Sequence, residues 1–570
     1  MQVEASREGH GHDHAPPRPF ARLRQLLAPE RRDIILVSVY AIAVALLSLA
    51  TPITVESLVN TVAFGVLLWP VIILAVVLMV CLGLAATIRA MQVYVIEYLQ
   101  RRLFVRVVAD YAHRLPRLKI EAFDHRHGPE LANRFFDVVS LQKTLSILLL
   151  DGVALIVTAV VGMVVIAFYH PFLLGFDILL ILLIAFILFV LGWGGVNTSM
   201  DESHAKYDVA SWLEELLRCL RTFKFNGGQR LALEKADHLA SEYVTSRSKH
   251  FRVVWRQTLF ALGLQVIASS ALLSIGGYLV INRQLTLGQL VAAELIVSLV
   301  VASVSKLGKY SETYYDLLAS AEKLGLATDL PVEREGGEVI ENHGQGMSIR
   351  IHGVGPVSYR TLPDLTDWRV AANERVAVLG PPGSGKTTLF ELICGLREPG
   401  HGVIELDGID IRGLSLGELR EQIALVEGPN TFIGTVAENI RVGRADLSPS
   451  EIRDALHTVD MVNVVHALPR GMETVITPGG GPLSSSQALR LTIARALAGR
   501  PRLLILDGTL DALNLQECPD LLHQLFDRSA PWTLLIASTD PDVIQRCDRS
   551  VTLTHAIAAP AHSDAGGSHS

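Results

Sequence analysis

The run Gly380-Pro381-Pro382-Gly383-Ser384-Gly385-Lys386-Thr387-Thr388 has the residue types and spacing of a polyphosphate cradle. Glycines let the backbone turn tightly enough for successive N–H groups to face phosphate oxygens, the Lys386 amine reaches the β and γ phosphates, and the Thr387 hydroxyl can hold Mg²⁺. Gly380, Gly383, Ser384, Gly385, Lys386, Thr387 and Thr388 are therefore expected to bind a nucleoside triphosphate. A matching carboxylate comes later, in Leu503-Leu504-Ile505-Leu506-Asp507, where four apolar residues bury a strand and Asp507 emerges at its end beside the metal. Thr387 and Asp507 are the expected metal pair.

These side chains need a frame. Arg375-Val376-Ala377-Val378-Leu379 reads as a strand before the loop and Leu389-Phe390-Glu391-Leu392-Ile393 as a helix after it, so the loop meets a helix N-terminus whose dipole favours anions. At 570 residues the chain exceeds one core, and its mean hydropathy of +0.37 calls for a membrane portion. A net charge of −7, with no basic, aromatic-interleaved patch in the second half, argues against a nucleic-acid binder. Cys81, Cys219, Cys394, Cys518 and Cys547 are scattered, without CxxC spacing, and read as reduced thiols. The polar head holds Gly9-His10-Gly11-His12-Asp13-His14 in a Gly/Pro-rich stretch with nothing to fix a metal geometry, and reads as a solvated tail.

Apolar runs of roughly 20 residues, the length that spans a bilayer, begin near Ile34, Phe64, Ser146, Phe172, Thr258 and Gly288. Basic residues cluster between alternate runs, with Arg283 alone on the opposite side, which places both termini in the cytoplasm. The inner segments, about 91–140 and 196–252, suit long helical hairpins turning near Asp124-His125-Arg126-His127-Gly128-Pro129 and Phe225-Asn226-Gly227-Gly228. Those turns can touch a soluble domain. Asp151, Asp177 and Glu294 fall within the apolar runs, where a carboxylate facing lipid costs about 2.5 to 3.5 kcal/mol. They are expected to face a cavity or each other.

Further stretches carry a family likeness. Gly471-Met472-Glu473-Thr474-Val475 leads to Gly479-Gly480-Gly481-Pro482-Leu483-Ser484-Ser485-Ser486-Gln487 and Ile493-Ala494-Arg495-Ala496-Leu497, with Gly434-Thr435-Val436-Ala437-Glu438-Asn439-Ile440 before them. From about residue 30 to 553 the chain resembles a half-size ABC exporter: a six-helix membrane domain fused to an α/β P-loop nucleotide-binding domain. The resemblance implies a tail over 1–30, a membrane domain with cytoplasmic helix extensions over 31–328, a linker over 329–346, a nucleotide domain over 347–555 and a tail over 556–570. In the membrane half, Leu285-Thr286-Leu287-Gly288-Gln289-Leu290 and Leu115-Pro116 with Phe123 resemble type I secretion and peptide exporters.

In that family two nucleotide domains close around two ATP molecules, each held by one chain's phosphate loop and the other's signature motif. By resemblance Tyr359 stacks on adenine, Glu427 stands at the Q-loop, and Ser484, Ser485, Ser486 and Gln487 form the signature. Several positions depart from the pattern. Glu427 replaces a glutamine, Ser485 and Ser486 replace glycines, Gly508 replaces the glutamate that positions water, Asn514 replaces the last D-loop aspartate, and Thr539 replaces the switch histidine. Losing a water-positioning carboxylate costs about 10² to 10⁴ in rate. Serine side chains also crowd a place where backbone must approach the partner's phosphate.

The expectation is an exporter subunit of the bacterial inner membrane that binds ATP and Mg²⁺, closes as a homodimer or as a heterodimer with a second half-transporter, and hydrolyses slowly or undetectably. Its partners are membrane lipids and, through the secretion-type likeness, secretion components. Peptide or protein leads as cargo, with lipid or an amphipathic small molecule behind. The alternatives are the noncatalytic half of a heterodimer and a nucleotide-sensing regulatory or assembly subunit.

Overall fold

The computed structural model describes residues 19–64, 68–124, 133–225, 227–355, 365–444, 446–477 and 479–553. The His-rich head, Tyr359 and most of the expected turn at 124–129 lie outside them. The chain divides into two compact units, one of Met1–Arg117 with His125–Pro331 and the other of Leu118–Asp124 with Val332–Ser570.

The first unit is helical. Among the described residues, five helical runs are long and apolar enough to cross a membrane: Pro19–Val62, Trp69–Arg117, Arg134–Ala167, Pro171–Arg218 and Gly228–Ile281. The sixth expected span is a shorter apolar helix, Leu287–Val300, within a helix that continues to Ser305. Their apolar residues are not gathered on one inner face. Only 6% of the most apolar window of Trp69–Arg117 is buried, and Trp69, Met79, Tyr94 and Val105 point outward. A helix apolar all round suits lipid.

Polar groups within these helices are mostly paired. Arg89 donates to the Asp151 carboxylate at 2.6 Å and to the Leu150 carbonyl at 2.6 Å, so Asp151 faces an arginine rather than another of the three acids. Gln257 donates to the Ile187 carbonyl at 3.3 Å. Near Phe225 the chain reverses: Gly195–Arg218 and Gly228–Ile281 run side by side, and the Trp212 indole N–H donates to the Ala232 carbonyl across the break at 3.2 Å. Gly227, at φ 77°, supplies the left-handed residue that starts the return helix.

The second unit is an α/β body. Its strands are β1 (Ile349–Val354), β2 (Leu365–Val370), β3 (Arg375–Leu379), β4 (Val403–Leu406), β5 (Ile409–Asp410), β6 (Ile423–Val426), β7 (Gly434–Thr435), β8 (Val475–Ile476), β9 (Leu503–Asp507), β10 (Thr533–Ala537) and β11 (Arg549–Thr552). A parallel sheet in the order β11-β3-β10-β9-β6 forms its centre. An antiparallel sheet, β2-β1-β4-β5, forms separately. Strands β9 and β10 are buried along nearly their whole length, which is why they read as continuous apolar runs.

Of the expected linker over 329–346, residues 332–346 carry no helix or extended strand yet are tied down within this unit. Glu333 accepts two bonds from Arg420 at 2.6 and 2.9 Å, and Gln422 donates to the Ile340 carbonyl at 2.8 Å. The short segment Leu118–Asp124 is held similarly. Arg397, with its side chain 1% exposed, donates both terminal nitrogens to Asp124 at 2.8 Å and its Nε to Glu391 at 2.6 Å. The paired carboxylates hold its guanidinium above the ordinary arginine range, Asp124 foremost.

Candidate functional site

Every strand of the central sheet runs the same way, so the loops after β3, β6, β9 and β10 emerge at one edge, where open α/β sheets hold ligands. The phosphate loop follows β3 and leads into the helix Lys386–Ile393. Gly380, Gly383 and Gly385 have φ of 153°, 80° and 90°, a region that side-chain-bearing residues avoid. At Gly380 the constraint is also steric: an added Cβ would sit 2.5 Å from Ser384 Oγ and 2.7 Å from the Leu553 carbonyl. Ser384 is buried, and its N–H donates to the Pro381 carbonyl at 3.1 Å.

Lys386 folds back over this loop. Its Nζ donates to the Gly380 carbonyl at 2.8 Å and the Pro381 carbonyl at 3.1 Å, which holds the ammonium above the cradle. Thr387 Oγ1 donates to Asp507 Oδ2 at 2.5 Å. A hydroxyl and a carboxylate this close are hard oxygen donors of the kind Mg²⁺ takes. Sequence reasoning expected these residues together, and the fold joins them. Thr388 lies in the first turn of the helix and is buried.

The neighbouring strand ends hold the departures. Glu427 follows β6, whose Val426 pairs with Leu506, so it emerges one step further along, beside Asp507. Gly508 has φ 65°, and its N–H donates to the Ala537 carbonyl at 2.9 Å. An added Cβ there would meet nothing within 4 Å. Thr539 is exposed after β10, and its N–H and hydroxyl both donate to Asp511 Oδ2 at 2.9 Å. The Ser538 hydroxyl donates to the other Asp511 oxygen. Asp511 thereby clasps the residue at the switch position, a role sequence spacing did not reveal.

Ser484, Ser485, Ser486 and Gln487 stand at the start of the helix Ser485–Ala498. Ser484 is its N-cap in a reciprocal box: Gln487 N–H donates to Ser484 Oγ at 3.2 Å and Ser484 N–H donates to Gln487 Oε1 at 2.9 Å. The pattern Ser-x-x-Gln before an apolar run is a sequence-level signal for this arrangement. Among the described residues no hydrogen bond joins these four to the phosphate loop. Asn514 caps a short turn, accepting from Gln516 N–H at 3.3 Å. All five cysteines are free thiols, and burial pushes Cys394 up to about 12.

The ABC transporter domain profile matches residues 364–510, and the ABC transporter transmembrane region matches residues 34–304. The chain belongs to the ABC transporter family and has the architecture of a half-size exporter, one membrane region fused to one ATP-binding domain. It is an integral membrane protein. An ATP-dependent lipid A-core flippase of Chromobacterium violaceum is 31% identical over 346 residues, 60% of this chain and 59% of the flippase. A fatty acid ABC transporter ATP-binding/permease protein of Mycobacterium bovis is 29% identical over 434 residues, 73% of this chain and 66% of that protein. The solved structure of a bacterial Atm1-family ABC exporter with ATP bound matches with a TM-score of 0.79 at 21% identity, covering 94% of this chain and 95% of its own, which establishes a shared fold.

Proposed function

We propose that this chain is one half of a dimeric exporter that binds ATP firmly, hydrolyses it poorly and moves an amphipathic lipid. The observation that carries the reading is the pairing of an intact cradle, Lys386 over the loop and Thr387 on Asp507, with strand ends that bear Gly508 and Thr539. Gly380, Gly383, Ser384 and Gly385 would hold the phosphate chain, Lys386 its charge, and Thr387 with Asp507 the Mg²⁺. The nucleotide supplies the closing energy when bound. What these residues do is orient it. No carboxylate follows Asp507 to position water, and Thr539 is committed to Asp511.

Lipid replaces peptide as the leading cargo because the named relatives are a lipid A-core flippase and a fatty acid transporter. The setting would be the bacterial inner membrane with both termini in the cytoplasm. A second reading has a specific motive: Ser485 and Ser486 at the signature and Gly508 at the water-positioning place suit the noncatalytic half of a heterodimer. A regulatory subunit that only senses nucleotide is the outcome if closure occurs without transport.

The test is the purified chain in vesicles. ATP should bind in a Lys386-dependent way while phosphate release stays near background. Vigorous turnover abolished by Lys386→Ala would overturn the weak-hydrolysis reading, and ATP-dependent movement of a fluorescent lipid by this chain alone would exclude the heterodimer. Movement of a labelled peptide instead would return peptide to first place.

A further inference from the structure

Of the three acids singled out in the apolar runs, Asp177 is the one its surroundings leave unanswered. Asp151 has Arg89, and Glu294 is only half-buried with one unpartnered oxygen. Asp177 is 2% exposed, and neither of its carboxylate oxygens has a hydrogen-bond partner. It lies on the helix Pro171–Ala185, six residues and so about 9 Å in from Pro171. Beside it runs a groove of about 450 Å³ between that helix and Val153–Ala167. Ile156, Val160 and Met163 line one side and Ile178, Ile181 and Phe189 the other, and Asp177 is the sole polar residue in the lining.

An ionised carboxylate without a donor in apolar surroundings is one of the costliest placements in a membrane protein, and such residues mark binding sites or ion paths. The groove offers it no help from within, since no lysine, arginine or histidine lines it. A partner that answers this carboxylate in its charged form brings both a cation and N–H donors, and is itself apolar over the remaining lining. A primary ammonium carries three donors. From Ile178 to Phe189 the lining residues recur over eleven residue steps, roughly 17 Å of helix, room for an extended alkyl chain.

We propose that this groove binds a lipophilic primary ammonium ion, its head paired with Asp177 and its chain laid along the apolar lining between the two helices. The inference is independent of the nucleotide site. The same chemistry has two sources, the amine headgroup of a membrane lipid and a free long-chain amine.

The full chain in phosphatidylcholine nanodiscs, exposed to a long-chain primary amine carrying a mid-chain diazirine, should be labelled within residues 153–189. Dodecylamine should compete at least about tenfold better than dodecanol, the advantage expected of hydrogen bonds to a charged group. Asp177→Asn should erase that preference and Asp177→Glu retain it. Equal competition by the alcohol, absence of labelling in these helices, or an undiminished amine preference in Asp177→Asn would each overturn the proposal. The wild-type amine and alcohol comparison stands even if the asparagine variant fails to fold. Repeating it with phosphatidylethanolamine in the discs separates the sources: suppressed labelling assigns the site to the lipid headgroup, and persistent labelling to a free amine.

Discussion

The end of β3 and the ends of β9 and β10 lie at the same edge of one sheet, yet they are equipped for different tasks. After β3, glycines, Lys386 and Thr387 are arranged around the place a phosphate chain needs, with Asp507 closing onto Thr387 at 2.5 Å. After β9 and β10, Gly508 has no side chain and Thr539 is bonded to Asp511 through both its N–H and its hydroxyl. Holding a nucleotide and cutting it thus depend on different strand ends, and one can be lost while the other is kept. The sheet itself does not suffer, because Gly508 still donates to Ala537 and the strands remain buried.

The sharpest way to break this contrast is to restore the second set. Gly508→Glu with Thr539→His should raise phosphate release by about 10² or more, the usual value of a positioned acid or base. The side chain at 508 meets open space, and the left-handed backbone costs only about 1 kcal/mol. No rise would mean that the signature serines or Asp511 limit the reaction instead. Lys386→Ala tests the first set: ATP affinity, read by titration calorimetry, should fall about a hundredfold as charge-assisted bonds are lost. Unchanged affinity would remove the cradle from the argument.

Support for the phosphate-loop helix comes next. Glu391 sits on that helix and shares Arg397 with Asp124, so Arg397→Ala removes a buried guanidinium that ties both carboxylates together and should destabilise the α/β unit by about 3 kcal/mol in denaturant unfolding. A shift below 1 kcal/mol would show that solvent reaches the pair. Ser484→Ala, which removes one side of the cap on Ser485–Ala498, should cost about 1 kcal/mol by the same measurement. A loss of ATP affinity without loss of stability would instead make Ser484 a ligand of the partner's nucleotide.

A pH-dependent effect lies in the helical unit. Lys323, buried over the Tyr207 ring at 3.4 Å and donating to the Ser203 carbonyl at 2.8 Å, is pushed down to about 7 by burial. Its unfolded value is near 10.4, so between those two values the unfolded chain binds more protons and stability should rise with pH. Below about 7 this group adds no further slope. Melting temperature followed from pH 7 to 10 should climb, and Lys323→Met should flatten that climb.

Much of the candidate site was legible from spacing alone. A glycine-rich loop between an apolar run and a helix-forming run, with a second buried strand ending in an acid, can fold in few ways, because each local preference points to the same strand edge. The Ser-x-x-Gln cap was legible too, being a local pattern closed within four residues. Asp511 was not: its hold on Thr539 spans 28 residues and follows from strands β9 and β10 lying side by side. Nor was the fate of the membrane acids. Asp151, Asp177 and Glu294 look alike in sequence, and whether each meets a donor depends on the other helices.

Chain order and composition were enough to establish a lipid-embedded half, a phosphate cradle, and the lack of an acid after Asp507, since these depend on residue type and near neighbours. Long-range packing chose Arg89 for Asp151, left Asp177 without a donor, and brought Asp124 to Arg397. Such pairings join positions 62 and 273 residues apart, where no local preference acts and the meeting of side chains depends on how helices and sheets are laid against one another.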